Sequence, residues 1–127
     1  RYGLAPEYLA ALASCETDFT PRESSAGAVG LMQVMPTTAA DLNRWYGRDL
    51  DPDVPVEAIE LAALYTIHSI AELGVTDPET LARAYNAGNG AVARDLPIAD
   101  ETRRHMTCVP HRYQTIAASD SAERPKQ

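Results

Sequence analysis

The sequence has only two cysteines, one phenylalanine and one tryptophan, and its eleven Lys and Arg residues form no long basic run. With a formal net charge of −7, it offers no electrostatic footprint for nucleic acid. Cys15 and Cys108 are far from any CxxC spacing, and His68, His105 and His111 fall in no HExxH or similar pattern. Metal and thioredoxin-type chemistry therefore find no support. GxSxG, GxxxxGK and a Gly-rich dinucleotide turn are also missing, which removes serine-nucleophile, nucleotide and dinucleotide readings. No run of about 20 apolar residues exists, so no membrane span is expected.

What is present is 127 residues with 45% hydrophobic content, enough for one globular domain and too few for two. The start at Arg1, without methionine and without a charged-then-apolar leader, reads as a mature or trimmed chain. Helical periodicity dominates, and no segment alternates convincingly as a strand. A first helix is expected from near Pro6, ending before Pro21, with Leu9, Leu12, Ala13 and Glu16 on one face. A second covers about Thr37 to Tyr46 and stops at Gly47, followed by a polar loop from Arg48 to Asp53. The third runs from Pro55 to Leu73, with Val56, Ile59, Ala63, Ile67, Ile70 and Leu73 as its core stripe and Gly74 as its C-terminal turn. Asp77 caps a fourth that ends at Gly88. After a Gly-rich break, a last helix begins near Asp100 with Met106, Val109, Tyr113 and Ile116 facing the core; Pro110 should kink or divide it. Residues 1–118 form the expected domain and 119–127 a frayed polar tail.

Glu16 is the chemically informative position, because an apolar stripe that should face the core continues onto its carboxylate. A buried, unpaired carboxylate responds to its desolvation by holding its proton, which suits a general acid. Periodicity alone leaves the other reading open, a helix-end glutamate bent into water.

Four segments, in this order, resemble the soluble lytic transglycosylase family: Cys15-Glu16-Thr17-Asp18-Phe19, Ala28-Val29-Gly30-Leu31-Met32-Gln33-Val34-Met35-Pro36, Ala84-Tyr85-Asn86-Ala87-Gly88 and Glu101-Thr102-Arg103-Arg104. The resemblance extends from about Tyr2 to Tyr113. It implies a mainly α, lysozyme-like (goose-type) catalytic domain with a groove for a sugar polymer. The implied reaction is cleavage of the β-1,4 bond between N-acetylmuramic acid and N-acetylglucosamine in peptidoglycan, without metal or cofactor. By the same resemblance Glu16 is the single acid and base. Ser25, Gln33, Met35, Tyr85 and Glu101 are substrate-binding positions, and Asn86 holds the turn beside Tyr85. A Cys15–Cys108 disulfide is implied because the family fold brings the last helix close to the catalytic one. The structural readings of these residues remain beside the functional ones: core packing for Met35, ring packing for Tyr85, and capping for Ser25 and Glu101.

The chain departs from the family where Glu-Thr-Arg-x continues with Tyr-Val, since His105-Met106 stands there. A phenolic hydroxyl is thereby lost, and either His105 or Tyr113 is available to supply a donor. No second catalytic carboxylate is evident: Asp18, two positions on, does not share the face of Glu16, and Glu23 lies in an unplaced loop. A one-carboxylate scheme ends in a 1,6-anhydro sugar. Two alternatives use the same groove, hydrolysis by a muramidase or chitinase, and a weakly catalytic glycan-binding module of a cell-wall or secretion assembly. The implied substrate places the mature chain in the periplasm or at the cell wall, where a disulfide is stable.

Overall fold

Four of the helices start on a proline, whose fixed φ and missing N–H suit the first helical position. They are α1 (Pro6–Thr17), α2 (Pro36–Tyr46), α3 (Pro55–Leu73) and α4 (Pro78–Ala87). Two more follow, α5 (Asn89–Ala93) and α6 (Asp100–Glu123). These elements come from a computed structural model that describes residues 3–20 and 22–123. Among the described residues there is no extended strand, only a single bridge between Val29 and Val34. Gly47 and Gly74 end α2 and α3 in the left-handed conformation, and the Asp77 carboxylate caps α4 by accepting from the Thr80 amide.

The core gathers Tyr8, Ala11 and Leu12 of α1, Met32 and Val34 of the following loop, Leu42 of α2, Ala58, Leu61, Ala62 and Leu64 of α3, Leu81 and Ala82 of α4, and Val109 of α6. The long α6 packs against both α1 and α4, and α3 touches α1, α2, α4 and α5.

Several expectations are corrected. On α3, Val56 is 78% exposed and Ile59 is exposed too, whereas Ala58, Leu61, Ala62, Ala63, Leu64, Thr66 and Ser69 are buried. A helix surrounded by four neighbours is buried most of the way round its middle, so the row of largest side chains does not mark its inner face. The Gly-rich break contains the short α5. Pro110 neither ends nor divides α6, which continues to Glu123. Residues 119–123 of the expected polar tail are therefore helical, and 124–127 lie outside the described residues.

Candidate active site

Glu16 sits in the last turn of α1, with its side chain only 12% exposed. Its neighbour Thr17 fixes that turn to the next loop, its hydroxyl reaching the Leu31 carbonyl at 2.7 Å. The loop from Arg22 to Met35 folds back on itself through the Val29–Val34 bridge and through Ser24, whose hydroxyl accepts from the Ala28 amide at 3.0 Å. Gly30 is required here twice over: its φ is +76°, and a Cβ would collide with the Pro52 carbonyl oxygen of the α2–α3 loop.

Gln33 holds the same loop from within. Its Nε2 donates to the Arg22 carbonyl at 2.6 Å and to the Gly30 carbonyl at 3.0 Å. Its backbone is in the left-handed region, φ 52°, a conformation uncommon outside glycine that the flanking bridge imposes. The resemblance selected Gln33 as a substrate-binding position; here its amide NH2 is bonded to backbone carbonyls of its own loop.

The α1–α6 seam brings the opposite side of the site together. Tyr8 packs edge-on against Tyr113, Arg112 donates to the Ser14 hydroxyl at 2.7 Å, Cys15 is bonded to Cys108, and His105 Nε2 lies 2.8 Å from Glu16 Oε1. Positions on α6 fall as those on α1 rise, so the two helices run antiparallel. The pair is close but His105 Nε2 makes no aligned hydrogen bond to the carboxylate.

Behind Glu16 stands an aromatic row. The Tyr85 ring is near-parallel to His105, 11° between planes at 6.4 Å, and edge-on to Tyr65 at 5.6 Å. The Tyr85 hydroxyl donates to the Met32 carbonyl at 2.7 Å. Burial, and then the nearby charge of Glu16, raise its pKa well above the ordinary tyrosine value, so it stays a donor. Asn86 accepts from the Thr102 hydroxyl at 2.6 Å and so ties α4 to α6.

An open cleft of about 640 Å³ lies over Glu16, bordered by Arg22, Glu23, Gln33, Glu101, Arg104, His105 and the disulfide. A second of about 220 Å³, lined by Gln33, Met35, Tyr65, Tyr85 and Asn86, adjoins it across Gln33. The sequence-selected residues are thus divided between two adjoining clefts, with two exceptions. Ser25 is exposed and outside both linings; Ser24, which the loop hydrogen bonds turn inward, lines the first. Tyr113 is occupied against Tyr8 and borders neither cleft, which leaves His105 beside Glu16. Asp18 is the left-handed C-cap of α1 and lies outside the cleft lining, while Glu23 and Glu101 are within it. Sequence reasoning missed Arg22, Arg104 and Ser24, since loop and helix-start residues of these types carry no periodic signal.

The model of the transglycosylase SLT domain matches residues 1–105. The membrane-bound lytic murein transglycosylase C of Actinobacillus pleuropneumoniae serotype 5b is 36% identical over 107 residues, 74% of this chain and 29% of that protein. Its namesake from Mannheimia succiniciproducens is 33% identical over 127 residues, 90% of this chain and 35% of that protein. The chain spans about a third of the length of these curated relatives. Among solved structures, an inactive glutamate-to-glutamine mutant of the lytic transglycosylase Slt from Pseudomonas aeruginosa superposes with a TM-score of 0.84 at 27% identity, covering 98% of this chain and 23% of that one. A match over so much of the chain, together with the same mainly helical fold, settles its affiliation: it belongs to the transglycosylase SLT domain family.

Proposed function

We propose that the chain is a lytic transglycosylase that cleaves peptidoglycan glycan strands between N-acetylmuramic acid and N-acetylglucosamine, with Glu16 as its acid and base. The observation that carries this reading is a nearly buried carboxyl group at the floor of an open cleft, facing His105 and backed by Tyr85.

Glu16 gives its proton to the bridging oxygen as the C1–O bond breaks, while the substrate's 2-acetamido group stabilises C1. The ionised Glu16 then takes the proton of the same sugar's 6-hydroxyl, whose oxygen bonds to C1. No water is consumed, and Glu16 ends protonated as it began. His105 serves the step in between by standing beside the carboxylate when it is charged. The intramolecular hydroxyl competes with water through its large effective concentration.

Hydrolysis is the second reading, favoured by the carboxylates of Glu23 and Glu101 in the same cleft, either of which could position a water. Product analysis separates the two. Purified peptidoglycan should yield fragments ending in 1,6-anhydro-N-acetylmuramic acid, unchanged by borohydride; mainly reducible ends would overturn the transglycosylase assignment. Glu16→Gln, which keeps the shape but not the transferable proton, should lower the rate at least about 100-fold in a folded protein. A substrate of this kind places the chain outside the cytoplasm, in the periplasm or on the wall. Among the described residues no single helix is long and apolar enough to cross a membrane.

A further inference from the structure

The second cleft does not end at Tyr85. Thr38 and Tyr65 are shared between it and a third hollow of about 200 Å³ whose other walls are Asp41, Trp45, His68, Glu72 and Asn89. Neighbouring hollows with shared walls therefore step from Glu16, past Gln33 and Tyr65, to Trp45 near the C-terminal end of α2.

Trp45 is 53% exposed, an expensive place for the chain's only tryptophan, yet its orientation is supported. Its ring stacks on His68, with centroids 4.8 Å apart and planes 27° from parallel. His68 Nε2 is paired with Glu72 at 2.9 Å, Glu72 accepts from Asn89 at 3.3 Å, and the buried Asn89 accepts from the Ser69 hydroxyl at 2.7 Å. This chain of contacts runs from the solvent-facing indole to a fully buried hydroxyl on α3. Aromatic rings held rigid before binding lose little entropy when a ligand arrives, and the C–H face of a pyranose ring is a fitting partner for an indole. The hydroxyls and amide of an N-acetylhexosamine could meet Thr38 and Asp41 around it.

We propose that Trp45, supported by His68, forms a remote saccharide subsite that grips an N-acetylhexosamine unit of the strand whose cleavage point lies at Glu16. The proposal rests on the glycan-cleaving reading above for the identity of the strand. Its function is to hold long strands better than short ones, and remote binding of this kind holds the reacting bond in register.

The test uses the one tryptophan as its own reporter. The full chain carrying Glu16→Gln, so that no bond is broken, is titrated with β-1,4-linked N-acetylglucosamine trimer and hexamer while tryptophan emission and calorimetric affinity are followed. The hexamer should shift the emission and bind more tightly than the trimer, and Trp45→Ala should reduce this long-to-short preference about tenfold. Trp45→Phe, which keeps an aromatic face, should restore most of it, and circular dichroism checks that each variant is folded. Emission indifferent to the hexamer, or a preference that survives Trp45→Ala, overturns the subsite. Should the wild-type chain release anhydro products while the emission stays silent, the subsite fails and the transglycosylase reading stands. A responsive emission in a chain that yields reducible ends has the opposite meaning: the subsite stands and that reading fails.

Discussion

At the scale of single residues, the site depends on positions with little conformational choice. Gly30→Ala should destabilise the fold by about 2–4 kcal/mol in urea unfolding, since it adds both left-handed strain and a clash with a backbone oxygen that cannot swing aside. A loss below about 1 kcal/mol would mean that the two loops are not packed as described. Tyr85 makes a pH prediction. Its pKa is raised from the ordinary 10.0 in the folded state, so its contribution to stability is complete below about pH 10. It is lost as pH rises beyond that value toward the folded pKa, because the unfolded chain releases the proton first. Between pH 8 and 11 the unfolding free energy of the wild type should therefore fall more steeply than that of Tyr85→Phe, and equal slopes would place the hydroxyl in water. Among such residues, Glu16, Gln33 and Tyr85 were legible because motif and polarity coincide there. Ser24 was not, because the choice between Ser24 and Ser25 depends on which hydroxyl the turn faces inward, and adjacent serines look alike in sequence.

At the scale of elements, proline and glycine punctuation made the bounds of α2, α3 and α4 readable to within a residue. The orientation of α3 was not readable. Periodicity ranks side chains by size and polarity, but close helix approach selects small residues, and Ala58, Ala62, Thr66 and Ser69 carry that face. Pro110 shows a second limit. A proline removes one hydrogen bond and crowds the turn before it, at a cost of about 3 kcal/mol in a helix interior. Here the surrounding helix is fixed at Cys108 by a covalent bond and at Val109 by complete burial, and those tertiary constraints override the local preference. The short α5 escaped because five residues with two glycines on either side of its start give no period to detect.

At the scale of the whole molecule, the disulfide is the largest single constraint, closing a loop with a sequence separation of 93 residues. In the chain-entropy account a loop of this length stabilises the folded state by about 4–5 kcal/mol. Denaturant unfolding of the Cys15→Ala, Cys108→Ala double variant should show a loss of that order, and a difference under about 1 kcal/mol would mean the native state is strained by the bond or the unfolded state is already compact. The same seam has a consequence for how the molecule comes into being. Glu16 is synthesised well before its companion His105, and helix α6 must run antiparallel back along α1 before the two meet. Local folding of α1, α2 and α3 therefore yields a body in which Glu16 has no His105 beside it. A nascent chain in which α6 has not yet been made carries an unassembled candidate site, and whatever that site does waits on the docking of α6.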